Sequence, residues 1–216
     1  MEITWYGHSC FKISERGKAT IVTDPFNHQL VGYSPLNLTA DIVTISHDKP
    51  GHNYAEAIQG DPYVINGPGE YEIRGVFITG IQTNGHAQPT EDEPLNTLYL
   101  IDFENIQIAH LGGLNRVPTQ TEIEAFGPVH IALVPIGGES TLTAAKAAEV
   151  ISLLEPEIVI PMHYATPESK KALDPLSKFL KEMGIGEIGT SSSFKIANAR
   201  SLPEEMQIII LDYQHA

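Results

Sequence analysis

The chain has 216 residues, 42% hydrophobic and 19% charged, a balance that supports a packed core and excludes a disordered or fibrous polypeptide. Lys and Arg number 13 against 27 Asp and Glu, a formal net charge of −14, and no basic run offers a groove for a phosphate backbone, so no nucleic-acid partner is expected. A single cysteine, Cys10, excludes an internal disulfide and points to a reducing compartment. With no secretory leader, and no apolar run near the ~20 residues of a membrane span, the expected protein is cytoplasmic, with no membrane partner.

In chain order, the first half reads as strands. β-Branched and aromatic runs bounded by Gly, Pro or Asn predict strands over residues 3–6, 10–13, 19–23, 41–45, 63–65, 72–83 and 97–103. The sixth is one long strand in which Gly75 and Gly80 allow bends. Between it and the seventh, residues 88–94 (QPTEDEP) predict an exposed loop.

Short apolar strands follow over 106–109, 131–134, 158–160 and 207–211. The second and third bracket a predicted helix over 142–154, with Lys146 and Glu149 wet and Ala145, Ala148, Ile151 and Leu153 or Leu154 inward. A further helix over 175–183 stops at Gly184. Hairpin strands first, then strands alternating with helices, imply mixed sheets covered by outer helices in one domain over 1–216.

Four apolar strands end in histidine, at His8, His47, His110 and His163, and His86 lies just beyond the end of a fifth. Histidine is 9 of 216 residues, so chance would place it at about one strand end in 24. Carboxyl ends of strands face one edge of such a fold, where sites are built. A lone histidine there is ordinarily half-buried and bonded to a carbonyl, but several together need a shared metal or anion. His28, His130 and His215 lack the pattern.

Residues 46–53, SHDKPGHN, follow a strand and resemble the H-x-H-x-D-H loop of the metallo-β-lactamase superfamily. WYGHSCFKI, IVTDPF, HLGGL, LVPIGG and IPMHY, in order from residue 1 to about 166, narrow the resemblance to small zinc-dependent hydrolases similar to ascorbate-6-phosphate lactonase. The resemblance implies an α/β fold, a four-layer αββα sandwich with its site on one edge between the sheets. It also implies two metal ions. Two loop histidines serve one ion and an Asp–His pair the other, a further histidine completes each site, and an aspartate of the H-x-G-D segment bridges them.

Carried over by position, the candidate ligands are His47, His52, His86 and His163. Lys49 stands for the second loop histidine, Gly51 for the loop aspartate and Gly113 for the bridging aspartate. His8 and His110 fall near the pocket as supporting groups. Asp24 is either a carboxylate that orients a ligand or a cap for the turn at Pro25.

A protonated lysine has no lone pair to ligate a metal. An ammonium about 5 Å from a dication costs about 7 kcal/mol at an effective dielectric near 20. The second site would keep only His52 and His163, fewer than the three protein ligands of a catalytic zinc, so a dinuclear centre is not expected. Two outcomes remain. In one, Lys49 takes the place of the lost cation in a metal-free pocket that holds a small anionic metabolite. In the other, one divalent metal, zinc foremost, sits among His47, His52, His86 and His163. The sign of the charge change favours the first and a weakly active or non-catalytic protein; the alternative is a one-metal hydrolase of a small ester, lactone or phosphoester.

Overall fold

The computed structural model describes residues 1–83, 95–138 and 140–216; the loop expected at 88–94 and the candidate ligand His86 lie outside the described residues. Two sheets carry the fold. In the first, Phe194–Lys195, Glu2–Trp5, Phe11–Ser14, Ile21–Thr23, Ile42–Thr44 and Tyr63–Ile65 lie side by side in that order. Pairing is antiparallel up to Ile21–Thr23 and parallel beyond it. The second sheet runs Gln207–Ile208, Ile158–Met162, Ile131–Pro135, Ile106–His110, Asn96–Phe103, Val76–Thr83 and Gly69–Ile73. Its first four strands are parallel and the rest antiparallel.

The residue patterns account for these places. Ile131–Pro135 and Ile158–Met162 are buried at every position, as strands covered on both faces require. Glu2–Trp5 and Phe11–Ser14 alternate, turning Ile3, Trp5, Phe11 and Ile13 into a core shared with Tyr99, Ile101 and Ile108 of the second sheet. The sheets therefore pack face to face. Helix Ala144–Leu154 covers the outside of the second sheet, with helix Leu176–Glu182 beside it. Outside the first sheet, helix His28–Val31 and the chain after it bring Val31, Tyr33, Leu36 and Leu38 onto Val22 and Val43 in a separate core. The layers are those of the αββα sandwich.

Three local expectations change. Residues 72–83 form a hairpin rather than one strand, because Arg74 and Gly75 (φ 48° and 73°) supply the two positive-φ residues of a tight hairpin turn. Helix Ala144–Leu154, capped by Thr143, buries Ala147, Val150, Ile151 and Leu154, so Ala145 is exposed and the apolar stripe starts two residues later than expected. Helix Gln120–Phe126 was not foreseen, although Thr119 and Glu122 form a complete capping box at its start. Among the described residues no helix is long and apolar enough to cross a membrane.

The strands ending at Thr23, Thr44, His110, Pro135 and Met162 release the chain on one edge of the sandwich. The site is built there.

Candidate active site

His8 sits in the turn between Glu2–Trp5 and Phe11–Ser14, and His163 follows directly on Ile158–Met162. The two are coupled through the backbone: His163 N–H donates to His8 O at 2.9 Å, and their ring centroids are 4.0 Å apart. The loop after Ile42–Thr44 brings His52 to 4.8 Å from the His8 ring and 5.6 Å from that of His163, with His47 4.0 Å from His52. Ligand atoms of His8, His52 and His163 all lie within 4.8 Å of one another, and all three residues are buried. His8, Asp24 and His163 hold positive φ (52°, 40° and 55°), a conformation non-glycine residues keep only where the surroundings enforce it.

Asp24 organises the loop. Its completely buried carboxylate accepts Ser46 N–H at 2.7 Å, Ser46 Oγ–H at 2.6 Å and His52 Nδ1–H at 2.7 Å. With its own proton given to Asp24, Ser46 Oγ accepts His47 Nδ1–H at 3.0 Å. Both loop imidazoles are thereby fixed in the tautomer that leaves Nε2 bare. Asp24 thus orients His52 directly and His47 through Ser46. Burial lowers the affinity of every imidazole here for a proton: His8 and His52 fall well below the usual range, His163 to about 4, and His47 and His110 also fall. Burial pushes the Asp24 carboxyl up, opposed by His110, His47 and the Ser46 bonds.

His8, His47, His52 and His163 line a cavity of about 440 Å³, together with Gly113. Its rim carries Lys49, Lys170 and Lys171, all exposed, and no carboxylate stands among its described lining residues. Three of only 13 basic residues in a chain of net charge −14 therefore meet at one opening. Lys49 stays in water, outside the buried imidazole cluster.

The structure changes two placements, and the first is that His47, expected as a ligand, lines the cavity but stands outside the converging ligand atoms of His8, His52 and His163. His8, expected as a supporting group, lies among the converging ligand atoms, because positive φ at Gly7 and His8 turns it back over the edge. His110 is a layer behind. Its Nε2–H donates to Ser9 O at 3.0 Å, and it does not line the cavity. Sequence reasoning missed Ser46, Asn96, Lys170 and Lys171. Asn96 ties down the Gly112–Gly113 turn, donating to Leu111 O at 3.2 Å and accepting Gly113 N–H at 2.8 Å. The one sequence signal for the rim was that residues 170–171 are the only adjacent lysines in the chain.

Residues 2–163 match the family described as beta-lactamase superfamily domain. The chain belongs to the metallo-β-lactamase superfamily. Within that superfamily it is similar to a UPF0173 protein of Pyrococcus furiosus, 30% identical over 194 residues that cover 77% of this chain and 84% of the relative. A UPF0173 metal-dependent hydrolase of Methanopyrus kandleri is 26% identical over 217 residues, 86% of this chain and 94% of that protein. The crystal structure of a Thermotoga maritima member of the superfamily superposes with a TM-score of 0.79 at 35% identity, covering 97% of each chain. The family is one of metal-dependent hydrolases, which implies a divalent metal. The residues present fit one: Nδ1 of His8 and Nδ1 of His163 are buried with no hydrogen-bond partner among the described residues, beside a bare His52 Nε2.

Proposed function

We propose that this protein is a hydrolase that uses a single divalent metal to cleave a small anionic ester, lactone or phosphoester. The observation that carries this reading is the convergence of His8, His52 and His163 on one point, all buried. Burial keeps these imidazoles neutral, so their lone pairs are available at neutral pH without displacing protons. His8, His52 and His163 would hold the metal. When bound, a divalent ion lowers the pKa of a water and polarises a carbonyl or phosphoryl oxygen.

The chain's own groups supply the rest. Asp24 holds His52 in orientation through Nδ1 and, through Ser46, holds His47. Lys49, Lys170 and Lys171 present ammonium groups to an anionic substrate entering the cavity, while Leu30 and Leu173 form an apolar wall. The resemblance of the sequence to ascorbate-6-phosphate lactonase suits such a substrate, a small phosphorylated or carboxylated ring or ester.

A second reading, an anion-binding protein without turnover, draws on the same three lysines and on the replacement of all three expected loop and bridging ligands by Lys49, Gly51 and Gly113. A hydrolysis screen separates the two. The zinc-loaded and chelator-treated protein is offered lactones, carboxylic esters and phosphoesters. Turnover that depends on metal supports the hydrolase. One bound zinc with no turnover across the panel, together with binding of inorganic phosphate, overturns it in favour of the second.

A further inference from the structure

Two glycines at the site are glycines for an unusual reason. Neither Gly51 nor Gly113 has a positive φ, so the backbone does not demand glycine at either. Their lack of a side chain is used for space. A Cβ on Gly51 would lie 2.8 Å from His8 Nε2 and 3.3 Å from His8 Cδ2. A Cβ on Gly113 would run into His47 Cε1 and stand 2.9 Å from His47 Nδ1. At each position an imidazole from elsewhere fills the volume any side chain would take.

His8 is held in that volume by its own surroundings. Its carbonyl accepts both His163 N–H at 2.9 Å and Trp5 Nε1–H at 3.1 Å. The preceding Gly7 lies under the ring of Tyr33, where a Cβ would come within 2.5 Å of Cδ1. The strained φ of His8 is thus enforced from both sides. Inside, its Nδ1 is buried with no partner among the described residues.

We infer that His8 is a metal ligand supplied from outside the loop motif, into the space left by Gly51, and that the site is a one-metal, all-imidazole centre of His8, His52 and His163 selective for zinc over manganese or magnesium. This rests on the reading of the pocket as a metal centre. Three neutral nitrogen donors with no carboxylate suit a borderline ion such as zinc, whereas manganese and magnesium prefer oxygen donors. Where the motif calls for aspartate at position 51, the chain has exchanged a charged oxygen ligand for a neutral nitrogen one.

The test is equilibrium binding of zinc and of manganese to the full chain, with the absorption spectrum of the cobalt-substituted protein as a second readout of the ligands. The variants are His8→Asn, Gly51→Asp and the two combined; asparagine tolerates the positive φ of position 8. Wild type is expected to take one zinc per chain and to bind manganese about 100-fold more weakly or worse. His8→Asn weakens zinc by about 100-fold or more and shifts the cobalt spectrum. Gly51→Asp alone also weakens zinc, since the carboxylate competes with His8 for one volume. The double variant recovers zinc and narrows the gap to manganese. Wild-type zinc affinity and an unchanged cobalt spectrum in His8→Asn overturn this inference and leave the metal centre standing. A wild-type chain that takes up no zinc overturns both. Should His8→Asn lose its circular dichroism, Gly51→Asp carries the test, and undiminished zinc affinity there overturns the inference.

Discussion

His52 donates its Nδ1 proton to Asp24 Oδ2 over 2.7 Å, and Asp24 has no exposed surface at all. One carboxylate thereby accepts three hydrogen bonds and sets the tautomer of two imidazoles. Asp24→Asn keeps the volume and tolerates the positive φ but places an N–H₂ group where a lone pair stood. Zinc affinity is expected to fall about 10- to 100-fold, and stability by about 1–3 kcal/mol. Competition titration and urea denaturation measure the two. Zinc affinity within twofold of wild type would remove Asp24 from any orienting role.

Acid should loosen the metal-free protein through its histidines. His163 titrates at about 4 in the fold against about 6.5 in an unfolded chain, and His8, His47, His52 and His110 shift the same way. The unfolded state therefore binds more protons, and stability falls as pH falls. It is complete above about 6.5 and lost on the way to about 4, with a slope near 1.4 kcal/mol per pH unit for each full proton of difference. Denaturation midpoints of chelator-treated protein at pH 7.5, 6 and 5 check this. A flat profile would mean that these imidazoles are solvated.

The fold was legible because its signals are periodic and local. Short apolar runs rich in β-branched residues, such as 131–134 and 158–160, read as covered strands, and they are. The gathering of imidazoles was legible too, because strand-end placement repeats at His8, His47, His110 and His163. The role of each was not. Whether a strand-end histidine faces the cavity or the layer behind depends on backbone twist after the strand, and nothing in the local sequence separates His8 from His110. The hairpin at Arg74–Gly75 was missed because arginine at positive φ is not a recognised turn residue, whereas Asn-Gly would have been. The lysine rim comes from a loop more than a hundred residues from Lys49, a contact only the folded chain makes.

Gly137 is where the backbone itself constrains the site. A Cβ there would be driven into the carbonyl oxygen of His163, and neither partner is a flexible side chain. Gly137→Ala should displace His163, costing about 1–3 kcal/mol of stability and weakening zinc binding together. Gly186→Ala, with nothing among the described residues within 4 Å of its would-be Cβ, should stay within about 0.5 kcal/mol of wild type. Thermal unfolding and zinc titration of both variants compare them. Equal behaviour of the two alanines would show that the turn yields freely.

The lysine rim sets the salt dependence of anion binding. Lys49, Lys170 and Lys171 are exposed, so each is screened by solvent and worth only about 0.2–1 kcal/mol toward a bound anion. Lys170 also donates to Gln29 O at 3.1 Å, so part of its role is to join the rim to helix His28–Val31. Alanine at all three positions should therefore weaken inorganic phosphate about 3- to 100-fold in the metal-free protein. Raising the ionic strength from about 0.05 to 0.5 M should weaken phosphate in wild type and barely in the triple variant, because the Debye length shortens several-fold over that range. Lys195→Ala is the control. Its ammonium pairs with Glu2, at the far end of the strand that leads to His8, and its loss should leave phosphate binding unchanged. Calorimetric titration distinguishes these cases, and a triple variant as salt-sensitive as wild type would move the anion away from the rim.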